Sequence, residues 1–193
     1  MTASGPARSV TGMSAEPAIG PATAELRREH DLILRAATLL ERAGRRMITG
    51  SRVDEPTMTR LVGLLRALAD QCHHAKEEAV LFPAMRAKGI PREGPMGRML
   101  AEHGEGRDYL GTLSGHPSPA EQAAAALLCV QVFREHVETE NRLILPVADG
   151  LFTLAEHAAL ARQYAELEAR TCGPGFQERV AADLAALERA VLP

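Results

Sequence analysis

The sequence predicts an all-α protein, an up-down-up-down four-helix bundle with two extra C-terminal helices. Three observations predict the helical bundle. Ala, Leu, Arg and Glu dominate, a mix that favours helix over sheet, whereas the chain has four Phe, two Tyr and no Trp. Apolar residues recur at helical spacing over long segments, and no stretch alternates convincingly with the period of a strand. Short Gly- and Pro-rich breaks separate those segments, as between antiparallel neighbours in a bundle. With 193 residues, 46% hydrophobic and 24% charged, the chain is long enough for one packed domain.

Residues 1–22 are rich in Gly, Pro, Ala, Ser and Thr without a period, and read as a disordered tail. Thr23 is the expected N-cap of a first helix to about Thr49, whose apolar stripe runs through Leu26, Ile33, Leu34, Ala37 and Leu40. After "GSRVDEP" a second helix is expected from about Pro56 to Lys88, with Pro83 kinking or weakening its last turn. Pro95 suits the first position of a third helix, which runs to about Ser114. Ser118 caps a fourth, from Pro119 to about Pro146. Thr153 and Glu156 fit a capping box for a fifth helix to about Arg170, "CGPG" ends it, and a sixth runs from about Phe176 to Leu192. The expected organisation is a tail over 1–22, the bundle over 23–148 and a helical extension over 149–193.

A net charge of −3 argues against nucleic acid or a polybasic membrane surface as partner. No apolar run approaches the roughly 20 residues that span a bilayer, and the N-terminus lacks the basic-then-apolar pattern of a secretory signal. Cys72, Cys129 and Cys172 form no CxxC and are odd in number, which reads as reduced thiols in a cytoplasmic protein. Cys72 and Cys129 are expected to pack as small hydrophobes.

Chemistry is concentrated in the histidines at 30, 73, 74, 103, 116, 136 and 157. Three have a glutamate four residues on, hence on the same helical face: His73 with Glu77, His74 with Glu78, and His136 with Glu140. "HHAKEEAVLFP" and "HVETENRLILP" lie on different helices, yet both run from a histidine to a proline ten residues later. Phase separates the doubled pair. One helical turn at a time, His73 meets Ala69, Leu65, Val62 and Val80, whereas His74 meets Asp70 and Arg66. His73 and Glu77 are therefore expected in the core, with His74 and Glu78 a surface pair on its shoulder. His136 and Glu140 share a face with Val132, Cys129, Leu143 and Ile144, His30 with Leu26, Ile33 and Leu34, and His103 with Met96, Met99, Leu100 and Leu110. His116 is expected to be exposed and His157 structural.

His30 and His103 lie early in the first and third helices, and the two His–Glu pairs lie late in the second and fourth. In an antiparallel bundle those are one end, so six donor side chains converge. Two ionised glutamates in an apolar core would cost several kcal/mol each unless neutralised. Carboxylate and neutral imidazole are preferred donors for divalent or trivalent cations. Four His and two Glu suit two ions, each glutamate bridging the pair and each ion keeping an open position. Mixed nitrogen and oxygen ligation fits iron best and manganese next, while zinc prefers fewer ligands. Neither HExxH nor Glu-x-x-His occurs.

The segments "RREHDLIL", "HHAKEEAVLFP", "GPMGRMLAEHGEGR" and "FREHVETENRLILP" resemble the hemerythrin-like HHE cation-binding domain family over roughly residues 24–148. The resemblance implies a four-helix bundle with non-haem di-iron ligands at His30, His73, Glu77, His103, His136 and Glu140, an oxo- and carboxylate-bridged centre, and manganese or zinc as substitutes for iron. Oxygen-carrying members have a second histidine four residues after the third-helix one, where this chain has Arg107. The four-His, two-Glu set is similar instead to the bacterial branch that includes iron–sulfur cluster repair proteins, although the paired-cysteine N-terminal domain often found there is not seen.

The expected function is a redox-active di-iron protein that binds or transforms a small diatomic or peroxide ligand (oxygen, nitric oxide or peroxide), as an oxidoreductase supplied by an electron donor. The alternative is iron sensing, storage or donation, including cluster repair, with the last two helices serving an apo-protein partner. A purely structural helical protein would require the six donors to converge by accident.

Overall fold

The computed structural model describes residues 18–51, 53–115 and 117–191. The expectations placed on residues 1–17 and on His116 lie outside the described residues. Six helices follow one another: α1 Pro21–Ile48, α2 over 55–87, α3 Pro95–Ser114, α4 Pro119–Leu151, α5 Leu154–Thr171 and α6 Phe176–Val191. Among the described residues there is no strand.

The helix starts show which capping signals operate. Ser118 and Thr153 each close a reciprocal capping box, with Glu121 and Glu156. Asp54 caps α2, its carboxylate accepting the Thr57 N–H at 2.9 Å. Thr23, the expected cap of α1, is not one. The helix begins at Pro21 after Gly20, and Thr23 sits buried in its first turn. The capping work is done from α4, where the Asp149 carboxylate accepts the Gly20 N–H at 2.9 Å and also the Thr23 hydroxyl. A partner 129 positions away leaves no local trace.

Pro83 and Pro146 interrupt nothing. A proline ring clashes with the carbonyl four residues back, and both helices absorb the clash by widening the turn before it. Over Glu77–Leu81 and Glu140–Ile144 the backbone takes π-helical form, Phe82 N–H bonding Glu77 O and Leu145 N–H bonding Glu140 O. Such wide turns recur at functional sites. Here each begins at a glutamate of a His–Glu pair. The fourth helix consequently runs on to Leu151 instead of stopping near Pro146. A third wide segment, Arg66–His74, precedes the first pair.

α1 packs beside α2 and α4, and α3 beside the same two, which is the expected up-down-up-down arrangement. The chain bends by 119° from α4 into α5, and α5 and α6 then lie across α1 and α2. The apolar core falls into two clusters. One holds Leu40, Leu65, Leu110, Phe133 and Leu184; the other holds Leu26, Leu81, Met99, Ile144 and Tyr164. His30, His73, His103 and His136 come between these clusters along their helices. No single helix among the described residues is long and apolar enough to cross a membrane.

Candidate metal centre

The structure brings together all six residues singled out by spacing. His30, His73, Glu77, His103, His136 and Glu140 are at most 2% exposed. His30 Nε2 lies 3.0 Å from His73 Nε2 and 3.1 Å from Glu140 Oε2. His73 Nε2 lies 3.5 Å from Glu77 Oε1, and His103 Nε2 lies 3.3 Å from Glu77 Oε2. His136 Nε2 lies 3.4 Å from Glu140 Oε2. Donors at right angles on one ion, each about 2.1 Å from it, would stand about 3 Å apart. The six divide into two overlapping quartets, His30–His73–Glu77–Glu140 and Glu77–His103–His136–Glu140, with both glutamates in each.

The other nitrogen of every ring is anchored. His73 Nδ1 faces Glu29 at 2.9 Å, His103 Nδ1 faces Glu78 at 2.7 Å, and His136 Nδ1 faces Glu102 at 3.1 Å. His30 Nδ1 faces the Asn141 side-chain oxygen at 3.0 Å. The anchors form a ring around the bundle: α1 holds the histidine of α2, α2 that of α3, α3 that of α4, and α4 that of α1. Each anchor is the chain neighbour of a donor on its own helix. A step of one residue turns it about 100° round the axis, toward the next helix. Carboxylate or carbonyl oxygens at Nδ1 fix the proton there and leave Nε2 with a lone pair.

Four imidazole lone pairs and two carboxylates thus face one another with too few donors between them. Both oxygens of Glu77, one of Glu140, and Nε2 of His103 and His136 are buried without a hydrogen-bond partner, a condition rare among buried polar atoms. The metal-free electrostatics register the same conflict. Burial, then the Glu140 charge, pushes Glu77 well above the carboxylate range. Burial would raise Glu140 too, but His136, His30 and His73 hold it well below. Burial lowers His136, yet Glu140 and Glu102 outweigh it and bring the group up to about 9. Cations between the six donors would satisfy these Glu77, Glu140, His103 and His136 atoms, so the residues fit a metal site.

His74 and Glu78 are not the surface pair that phase suggested. His74 is 2% exposed, and its ring stacks on His103 with centroids 3.7 Å apart and planes 12° apart. The physical reason is the Arg66–His74 wide segment. A π-helical turn rotates less per residue, so Cys72, His73 and His74 all turn inward, where an α-helix would have carried His74 outward. His74, His103 and His136 offer three nitrogens within 4.8 Å of one another, and His74 Nδ1 is buried without a partner, so His74 belongs to the lining of the His103–His136 half of the site. Glu78, a third exposed, anchors His103 and takes Arg107 at 2.5 Å. His103 and Arg107 together hold its carboxyl down at about 2 against partial burial. Arg107 also reaches Asp70 at 2.5 Å, so this departure from the oxygen-carrier pattern is an outward brace. Leu143, placed with the core by spacing, is 42% exposed.

Spacing also missed Lys76. It is fully buried, and its ammonium meets Glu25 at 2.8 Å, Glu168 at 2.7 Å, and Glu29. Burial would lower the ammonium, but Glu29, Glu168 and Glu25 outweigh it and raise it. Gln177 on α6 donates to Glu29 at 2.9 Å and to Glu168 at 3.3 Å. The C-terminal helices therefore reach His73 through Glu29. Glu29, Cys72 and Glu168 also cluster, but Lys76 already supplies their positive charge. Cys72 and Cys129 are buried, as expected of small hydrophobes, and the Cys72 thiol lies 3.4 Å from Glu168. His157 is buried against Gly20 and Phe152, a packing role.

A family model described as Hemerythrin HHE cation binding domain matches residues 22–148. Comparison with curated proteins and with solved structures gave no match.

Proposed function

Because the chain belongs to the hemerythrin HHE cation-binding family, we propose that its metal centre is a pair of iron ions that meets a small diatomic or peroxide ligand. One observation carries the reading: four Nδ1 atoms are anchored, leaving four Nε2 lone pairs and two carboxylates facing inward. His30 and His73 would hold one ion, His103 and His136 the other, with Glu77 and Glu140 reaching both. Two histidines and two shared carboxylates would leave each ion short of six ligands, with room for a small ligand. When bound there, iron supplies those positions and a redox couple.

The protein's share is orientation and exclusion. Glu29, Glu78, Glu102 and Asn141 keep the protons on the outer nitrogens, so the inner ones remain donors. The apolar clusters on either side limit access of water, and His74 closes the His103–His136 half. Mixed N and O donors with open positions favour iron over zinc.

Metal analysis after expression in iron-rich medium tests this. The expected result is about two irons per chain, an oxo-bridged di-iron absorption band, and loss of at least one iron in His73→Ala. An iron-free wild type with an unchanged His73→Ala would refute it. Mixing the reduced protein with oxygen, nitric oxide or peroxide then identifies the ligand. Stoichiometric iron loss to a chelator without turnover would favour storage or donation.

A further inference from the structure

Tyr164 on α5 is fully buried, and its hydroxyl has no hydrogen-bond partner. It lies outside the matched span of residues 22–148. α5 packs on the wide turn Glu77–Leu81 and on α1. Tyr164 shares an apolar cluster with Leu26, Leu81 and Ile144. Each of these is four residues, one helical turn, from a donor: His30, Glu77 and Glu140 respectively. The phenol therefore sits in the apolar layer next to the metal centre, carried there by a helix packed on α1 and on the wide turn of α2.

Burial, then the charge of Glu77 and behind it Glu25, Glu29 and Glu140, pushes the Tyr164 hydroxyl well above its ordinary range. The group keeps its proton and can only gain by donating it to an acceptor. An unpartnered buried donor costs free energy. The unpaired oxygens of Glu77 and Glu140 lie in its field but beyond hydrogen-bond reach, so hydroxyl and carboxylates do not satisfy each other directly.

We propose that Tyr164 is a ligand-binding residue of this centre, its hydroxyl donating a hydrogen bond to the outer atom of a small acceptor ligand held on the Glu77 side. The C-terminal extension then completes the site as well as covering it. This inference rests on the small-ligand reading above.

The test uses the iron-loaded full chain with azide as probe. In Tyr164→Phe, iron content should be unchanged and azide affinity, followed by its charge-transfer band, should fall about tenfold, the worth of one hydrogen bond. The metal–azide vibration of the wild type should shift between H2O and D2O, and the variant should lose that shift. Replacement of both tyrosines by 3-fluorotyrosine, a stronger phenol donor, should tighten azide binding and checks the idea without removing the hydroxyl. Equal azide binding by wild type and Tyr164→Phe, no solvent-isotope shift in the wild type, or no tightening with fluorotyrosine would overturn the role of Tyr164 and leave the small-ligand reading intact. A wild type that holds two irons and binds no azide would overturn both.

Discussion

Replacing Lys76 by Met should be among the most damaging single changes in the protein. Methionine keeps much of the aliphatic length, so little cavity is made, and the loss is mainly one of charge. Three carboxylates surround the ammonium, but they do not suffer equally. Glu25 and Glu168 have side chains 22% and 18% exposed and can recover water. Glu29 is fully buried and would keep only His73 Nδ1 and the Gln177 amide. One stranded buried charge costs about 3–5 kcal/mol. At about 2–4 °C per kcal/mol for a chain of this size, the melting temperature should fall by about 6–20 °C. Thermal and urea unfolding of the metal-free protein, monitored by circular dichroism, would measure it. Adding Glu29→Gln removes the stranded charge, so the double variant should recover most of the loss, with a coupling energy well above 1 kcal/mol. A Lys76→Met variant within about 1 kcal/mol of wild type, or no recovery in the double variant, would refute the reasoning.

Other consequences are as direct. Glu102→Ala frees the His136 ring to turn, and competition with a chelator should show metal affinity reduced by about 10–100-fold; unchanged affinity would show that the anchor does not matter. Gly20→Ala would drive a methyl group into the His157 ring, and thermal unfolding should register a loss of about 1–3 kcal/mol from overpacking. Lys88, then the Thr153 backbone and hydroxyl, depresses the Glu156 carboxyl from 4.5 to about 2 in the folded chain. Its contribution to stability is therefore complete above the unfolded value of about 4.5 and lost as pH falls toward 2. Urea midpoints at pH 6 and pH 3 should diverge less in Glu156→Gln than in wild type.

Much of the site could be read in the sequence because helical geometry is periodic. Four residues return a side chain to the same face, so His73 with Glu77 and His136 with Glu140 declared themselves as pairs. Alternating helix direction then put His30 and His103 at the same end. The same regularity misled where the helix stopped being regular. A turn of 3.6 residues puts His74 at the surface, but the wide Arg66–His74 segment carries it inside. Pro146 signals a helix end, but the wide turn before it lets α4 continue to Leu151. The two prolines that gave the segments their matching look are themselves the reason for wide turns at the two glutamates.

The sequence by itself determined the helical class, the order of the four bundle helices and the six inward donors, since each follows from local propensity and a fixed angular step. Tertiary structure alone decided everything that depends on which helix lies beside which. The Nδ1 anchors are contacts between neighbouring helices, invisible along any one of them. Asp149 accepts the N–H of Gly20, the residue that opens α1, from 129 residues away. Lys76 tolerates burial only because α1 and α5 bring carboxylates to it. Tyr164 lies in the apolar layer beside the centre only because α5 turns back through 119° to lie over α1 and α2. Angular spacing is a property of a single helix; neighbourhood is a property of the packed chain, and the anchors of this site belong to the second.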